Sequence, residues 1–452
     1  LLQRGLITGH RPQATGHRPL HTRNRRDSIS PGEEQRRRPR VPDADNRQLS
    51  RGVQMSDVET TESGLDRRKF LTKAGIGVAG MAAAGTLLAA CSSDEEAAPA
   101  TTAAPATTAA PTTVALAADG PELEWELGTS WPTALITLFG SAQMFAEQVG
   151  RLTDGRFKIN ARPAGEIVGG LEVLQTVRDR GMEMGHTASY YYVGISPVQQ
   201  FGTAVPFGLT QRQHNAWLYQ GGGLQLLQKF YAEEHNMIFF PCGGTGCQMG
   251  GWFTKELKTP ADLQGLKMRI PGLAGKVLAA LGGEQISLPG GEILPAIETG
   301  AIDAAEFVGP TDDLILGLDQ FQGELFYYHP GWWEPGTAVE IQISLDAWNE
   351  LPPQYQAAIE NAAAWANLNT LGMYDVLNQR DLQKVKKFAK IREFSPELMA
   401  AFKGTTEDVI NDVAAGDAAF AEILKPWRVF RDGVAEWHGL AERSYLTQQT
   451  QI

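Results

Sequence analysis

The chain has 452 residues, 42% of them hydrophobic, with a net charge of −12 and three cysteines; that is too long for one compact domain of ordinary size and ample for a sizeable core. The charge is uneven: residues 1–54 carry twelve Arg against five Asp/Glu, residues 55–90 balance, and the remainder holds −19. An acidic body excludes nucleic acid as the expected partner and leaves a small ligand open, because a local arginine outweighs a distant field once water is excluded.

Residues 1–54 are rich in Arg, Pro, Gln and His and lack hydrophobic periodicity, so they are expected to be an upstream extension of a native start at Met55. From Met55 to residue 90 the pattern is that of an export signal. Arg67-Arg68-Lys69-Phe70-Leu71 leads into an uncharged Ala/Gly-rich run from Ala74 to Ala90, which ends in Leu88-Ala89-Ala90-Cys91. A basic segment, a short apolar run and small residues before the cut describe a secretory signal, and the run falls short of the ~20 apolar residues that a spanning helix needs. The paired arginines resemble a twin-arginine signal, with Asp66 where that pattern usually has Ser or Thr. Leu-Ala-Ala-Cys resembles a lipoprotein box, which makes Cys91 the expected lipidated residue. Residues 91–120 then repeat Ala, Thr and Pro, a composition that cannot bury a core and reads as a tether.

The folded part begins near Leu123. Residues 124–132 read as a strand ending in a turn, followed by a helical pattern through Leu135, Phe139, Phe145 and Val149. A strand at Phe157–Ala161, a helix from Leu171 to Arg180 and a strand at Met182–His186 complete a rhythm that predicts an α/β sheet. Ligands in such sheets sit beyond the carboxyl ends of the strands, so Ser189-Tyr190-Tyr191-Tyr192 is a candidate wall. The run Leu174–Met184 is echoed by Leu294–Ala304, each a helix, a Gly stop and a short strand, as two similar α/β halves require. Met237–Pro241 reads as a strand that enters a glycine-rich crossing between the halves. There Cys242 and Cys247 either form a disulfide, which an exported protein permits, or are two small buried residues.

Gly265-Leu266-Lys267-Met268-Arg269-Ile270-Pro271-Gly272 is the stretch on which a function rests. Arg269 lies between apolar neighbours, and a buried guanidinium needs a partner: either a protein carboxylate or a ligand carboxylate, which the planar fork binds bidentately. After a helix over Ala274–Leu281, a strand ends at Glu306-Phe307-Val308-Gly309-Pro310, and Tyr327–Gly336 is dense in aromatics and turns. Glu306 and Glu334 sit at strand ends among aromatics; with Gln248 they offer hard oxygen ligands for Na+ or Ca2+. Gln354–Lys390 has only Gly372 as a breaker and predicts a helix of roughly 55 Å. Ser395–Arg443 reads as two or three amphipathic helices.

The arginine motif, the Asp303–Pro310 run and Trp332-Trp333-Glu334-Pro335-Gly336 together resemble the extracytoplasmic solute receptors of TRAP (tripartite ATP-independent periplasmic) transporters, the DctP type, and most closely the 2-oxo-acid and lactate receptors, over Leu123 to Arg443. The resemblance implies an α/β, two-lobed, periplasmic-binding-protein-like clamp: lobe I over 121–246, lobe II over 247–335, and a return segment over 336–452 that holds a long helix spanning both lobes and the C-terminal helices. It also implies that Arg269 holds a carboxylate and that Gln248, Glu306, the backbone carbonyl of Phe307 and Glu334 surround a cation. Gln248, Phe307, Trp333 and Tyr191 join Arg269 against the ligand. Phe307 stands where the family usually has Trp. The expected partners are a small organic acid, a TRAP-type membrane permease and, as in some relatives, a second copy of the chain. No G-x-S-x-G, H-E-x-x-H or Walker-type loop is present, and Gly243-Gly244-Thr245-Gly246 lacks the Lys-Ser/Thr of a phosphate loop; the sequence therefore reads as a receptor rather than an enzyme.

Overall fold

The structure, a computed structural model, describes residues 120–450. The extension over 1–54, the signal over 55–90, Cys91 and all but the end of the tether lie outside the described residues.

In chain order the elements are β1 (Leu123–Thr129), α1 (Leu138–Leu152), β2 (Phe157–Arg162), α2 (Val173–Arg178), β3 (Met184–Thr187), α3 (Gln211–Gln220), α4 (Gly223–His235) and β4 (Met237–Gly244). Then come β5 (Trp252–Phe253), β6 (Lys267–Arg269), α5 (Gly272–Ala280), β7 (Glu284–Ile286), β8 (Ala304–Ala305), α6 (Pro310–Ile315) and β9 (Phe326–His329). The chain continues through β10 (Ala338–Ser344), α7 (Pro353–Val385), β11 (Lys390–Glu393), α8 (Pro396–Gly416) and α9 (Ala418–His438). One sheet has the order β2-β1-β3-β10-β4 and the other β11-β9-β5-β8-β6-β7. In each, strands separated by helices pair in parallel: β1 with β2 and β3, and β6 with β7 and β8. The chain therefore folds as two mixed sheets with helices, the α/β class that its alternating pattern predicts.

Hydrophobic spacing explains the packing. Helix α1 buries Leu138, Phe139, Ala142, Phe145, Ala146 and Val149, an i, i+3, i+4 stripe. Ala142, Phe145, Ala146 and Val149 meet Leu127, Phe157, Met184 and Ile341 of the first sheet and Tyr355 and Ile359 of α7, while Leu138 and Phe139 join a core that includes Trp131, Tyr190 and Trp252. Each fully buried large side chain contributes about 1.5–3 kcal/mol. Pro353 opens α7 at its first position, where the missing N–H costs nothing. The helix has 33 residues, about 50 Å, and serves both sheets. Tyr355 stacks on Phe157 and the Thr370 hydroxyl bonds that of Ser141, while Tyr374 and Asp381 reach Asp312 and Thr311 of α6.

Four details differ from the sequence reading. Helix α7 stops at Val385, not Lys390, because residues 390–393 leave it to pair with β9. The strand expected up to Pro310 is only Ala304–Ala305, since Pro310 opens α6 and residues 306–309 are diverted between them. Strand β4 runs on to Gly244, which places Cys242 in the core under α1 and leaves Cys247 exposed in the crossing. Both thiols are free, so neither alternative, a disulfide or two buried small residues, describes the pair.

Candidate functional site

Strand β6 lies between β8 and β7, with Arg269 in register with Ala305 and Ile286. Because β6 and β8 are parallel, Arg269 and Glu306 leave their strands at the same edge, and the Glu306 amide donates to the Arg269 carbonyl at 3.1 Å. The Arg269 side chain is 2% exposed. Its Nη1 donates to the Glu306 carboxylate and, at 2.9 Å, to the Glu306 carbonyl, while Nε donates to the Leu288 carbonyl at 3.1 Å. The guanidinium carbon sits 5.5 Å from the centre of the Phe307 ring. Arg269 thus has a protein carboxylate as partner, one of the two alternatives its sequence leaves open. Among the described residues, however, nothing accepts from Nη2, and Arg269 also lines a cleft.

That cleft has a volume of about 500 Å³. One wall is Tyr190 and Tyr191, on a single turn (Ser189–Tyr192) directly beyond the carboxyl end of β3; the other is Arg269 with Pro271, Gly272 and Lys276 at the start of α5. The walls approach closely at Gly272, which has φ +66° and whose absent Cβ would stand 2.6 Å from Gln200 Oε1. A side chain there would be strained and blocked. Gln200 Oε1 in turn accepts from the Leu273 amide at 2.9 Å.

Behind Arg269 lies a ring of oxygen acceptors. Gln248, in the crossing between β4 and β5, donates its backbone N–H to the Glu334 carbonyl, and its Nε2 to the hydroxyls of Thr245 and Thr337 at 3.2 Å each. Thr337 donates to Glu334 Oε2 at 2.9 Å. Gln248 Oε1 and Glu306 Oε2 are buried and accept nothing. A buried acceptor left unpaired costs ~1–3 kcal/mol, so the two leave room for further donors or a cation at this place.

Burial pushes the Glu306 carboxyl well above its ordinary value, and Glu334 adds to the shift while Arg269 opposes it. Glu334 is pushed up to about 7, again by burial, against the Thr337 hydroxyl and the Arg269 charge. Burial is the main reason both acids hold their protons, and the Arg269 charge opposes it at each.

The donor set is two carboxylates, an amide oxygen and the Phe307 carbonyl, to which no described residue donates. Such all-oxygen ligation suits Na+ or Ca2+ and not a thiolate- or imidazole-seeking metal. No group of three or more His, Cys, Asp or Glu suited to a metal occurs among the described residues, so any cation here draws on amide and carbonyl oxygens as well.

Of the residues singled out by sequence, Arg269 and Tyr191 line the cleft, and Gln248, Glu306, Phe307 and Glu334 lie buried behind it. Trp333 does not line it: its ring is edge-on to Trp332 and Phe394 in a core that includes Phe402 of α8. Sequence reasoning missed Thr337, whose hydroxyl joins Gln248 to Glu334, the Leu288 carbonyl, and Lys276. Nothing in a lone Thr after Pro-Gly announces that bridge.

The profile of bacterial extracellular solute-binding protein family 7 (DctP) matches residues 127–417. A monocarboxylate 2-oxoacid-binding periplasmic protein of Nostoc sp. is 48% identical over 326 residues, covering 72% of this chain and 88% of that protein. A TRAP transporter solute-binding protein of Bordetella bronchiseptica, a dimer with copurified calcium and picolinate, superposes with a TM-score of 0.71 at 39% identity, covering 73% of this chain and 98% of the other. One from Pseudoalteromonas atlantica, with bound sodium and pyruvate, gives 0.69 at 34% identity, covering 72% and 99%.

Proposed function

The chain belongs to bacterial extracellular solute-binding protein family 7, and from that premise we propose that it is a TRAP solute receptor for small 2-oxo or 2-hydroxy carboxylates taken together with Na+ or Ca2+. One observation carries the reading. Around a cleft-lining arginine, two fully buried acceptors, Gln248 Oε1 and Glu306 Oε2, have no donor.

The residues divide the work. Arg269 offers its unpartnered Nη2 edge to the acid's carboxylate, a charge-assisted contact stronger than a neutral one. Tyr190 and Tyr191 cover it from the opposite wall and keep water out. Glu306 and the Leu288 carbonyl fix the guanidinium in place, so little ordering is lost on binding. Gln248, Glu306, the Phe307 carbonyl and Glu334 would hold the cation, whose charge would offset the carboxylates. With Ca2+, a monocarboxylate would bring Arg269, Glu306 and Glu334 to neutrality. Phe307, smaller than Trp, leaves more room beside the guanidinium.

The site's walls come from segments of both sheets, joined by α7 and by the crossing at 245–251, an arrangement suited to hinge closure on the ligand. Closure is what a permease can read, provided it distinguishes the closed form from the open one. The lobes fall at 121–246 and 247–335, with β10 of the return segment completing the first sheet and β11 the second. No helix among the described residues is long and apolar enough to cross a membrane. Attachment through Cys91 after twin-arginine export, with residues 91–120 as tether, would hold the receptor beside its permease. Val429, Trp437, Leu440 and Tyr445 stand 61–73% exposed at the C-terminal end, which supports association with a second copy.

The test is thermal melting of the purified chain against pyruvate, lactate and related acids, with added Ca2+, with Na+ and after chelation. A ligand that binds only the folded state raises the melting temperature by mass action. A rise with a 2-oxo acid that chelation or Na+ removal abolishes is expected. No rise with any carboxylate under any cation condition would overturn the reading.

A further inference from the structure

The cleft is larger than a pyruvate-sized acid needs. At the ~30 Å³ that a water occupies in the liquid, six heavy atoms fill about a third of the 500 Å³ present. The lining of the unused part is not apolar throughout. It includes Lys276 and Ser287, and no Asp or Glu lines the cleft anywhere.

Lys276 differs from Arg269 in how its charge is held. Arg269 is buried and already paired with Glu306. Lys276 is exposed and forms no ion pair among the described residues. It stands four residues beyond Gly272 on α5, so the two share a face of the helix, about 6 Å apart along the axis. Gln285 is not available as an alternative reader there. Its side chain packs over Gly275, where a Cβ would meet it at 1.9 Å, and its Nε2 donates to the Ile270 carbonyl at 2.9 Å. That leaves Lys276 and the Ser287 hydroxyl as the free donors at the mouth.

We propose that Lys276, at the mouth of the cleft one helical turn beyond Gly272, is a specificity-determining residue that selects 2-oxo acids whose far end carries a second carboxylate. The inference rests on the receptor reading above and deepens it. The head of the acid goes to Arg269 and the acceptor ring, the chain spans the unused volume, and the tail carboxylate reaches the uncompensated ammonium with Ser287 beside it.

The experiment is calorimetric titration of the wild-type chain, Lys276→Gln and Lys276→Arg with pairs of 2-oxo acids matched in chain length. Each pair has one methyl-ended and one carboxylate-ended member: 2-oxopentanoate against 2-oxoglutarate, and 2-oxohexanoate against 2-oxoadipate. Wild type is expected to prefer the carboxylate-ended member of at least one pair by about fivefold, the upper end for an exposed ion pair, and the preference should shrink as salt is raised. Lys276→Gln should bring the ratio to about one, and Lys276→Arg should keep it. A wild type that favours the methyl-ended acid of both pairs, or a preference that survives in Lys276→Gln, overturns the proposal while leaving the receptor reading intact. A wild type that binds neither member of either pair, nor pyruvate, nor lactate, with Ca2+ or with Na+, overturns both.

Discussion

Two pairs of buried acids sit on the same half of the molecule and are treated in opposite ways. Asp312 and Asp313, at the first turn of α6, are fully provided with neutral donors. Asp312 accepts from the hydroxyls of Thr137 and, at 2.6 Å, Tyr374; Asp313 accepts from Tyr327 at 2.6 Å, the Trp252 indole at 2.8 Å and the Val308 amide. Glu306 and Glu334 have one guanidinium between them, one threonine hydroxyl, and an orphaned oxygen on Glu306. Burial raises all four carboxyl groups. The difference is that the first pair is complete within the protein and the second is not. Asp312 ties the start of α1, α6 and α7 together. The glutamates are left short of donors, which is why we propose that a ligand and cation complete them. Burial and a raised pKa do not by themselves mark a binding site, and neither does an unpaired oxygen, since Glu340 Oε2 and Gln342 Oε1 are also unpaired in the core; what sets Glu306 and Gln248 apart is that their unpaired oxygens accompany an arginine that lines a cleft.

The largest expected effect breaks the second pair. Arg269→Ala should weaken carboxylate binding at least 100-fold in calorimetry and lower unfolding free energy by on the order of 3 kcal/mol, because the buried Glu306 carboxyl and carbonyl lose their donor. Adding Glu306→Gln should restore most of the stability and none of the binding. A variant that binds as tightly as wild type would remove Arg269 from the site. Next in size, Glu306→Gln alone should reduce cation-dependent ligand affinity by about 10–100-fold and leave a residual affinity that chelation no longer changes. If chelation still lowers it as much as in wild type, Glu306 is not part of the acceptor ring.

Tyr374→Phe tests the complete pair. It removes one donor from buried Asp312 and should cost ~1–3 kcal/mol in denaturant unfolding, with ligand affinity kept within about threefold. A loss of affinity as large as that of Glu306→Gln would erase the distinction between the two pairs.

The sequence carried these regions unequally. The rhythm from β1 to β3 was readable because each element shows its own period, apolar alternation in β1 and an i, i+3, i+4 stripe in α1. Strand β10 was not separated from the segment around it. Val339-Glu340-Ile341-Gln342-Ile343 alternates as a half-exposed strand would, yet it lies between β3 and β4 with Glu340 and Gln342 fully buried. Those polar side chains bond each other and Tyr231 inside the core, and a period cannot reveal partners that far away. Strand β11 was not legible: the helix reads on to Lys390 because no breaker precedes it, Ile391–Glu393 are left unassigned, and only pairing with β9 defines the strand. At the site, the need of Arg269 for a partner was legible from its apolar neighbours. That Glu306 supplies one followed only once β6 and β8 proved to be adjacent and parallel. Trp333 is expected against the ligand from the family resemblance; successive residues in a tight turn face different ways, and its ring packs in the core that includes Phe402 of α8.

The smallest expected effect is a slope, and its change on substitution reports on Asp312. Burial pushes Asp312 up to about 7, against the Thr137 and Tyr374 hydroxyls, and the neighbouring Asp313 charge adds to the rise. A carboxyl raised in the folded state binds a proton there that the unfolded chain, titrating near 3.8, has already lost. Stability from this group is therefore fully present below about pH 3.8 and is lost as pH rises through about 7, with a slope of at most ~1.4 kcal/mol per pH unit. Glu340, also raised to about 7 by burial, contributes in the same direction, so wild-type unfolding free energy should fall between pH 5 and pH 8 more steeply than one group allows. Asp312→Asn should flatten the fall without removing it. It should also lower stability at every pH, because an amide oxygen cannot accept from both Thr137 and Tyr374 as two carboxylate oxygens do. The offset and the slope are separate readouts: the offset reports lost hydrogen bonds, and the slope reports the proton. An unchanged slope would mean that Asp312 is ionised in the folded protein, held so by its two hydroxyl donors, and that the complete pair differs from the glutamates in charge state as well as in hydrogen bonding.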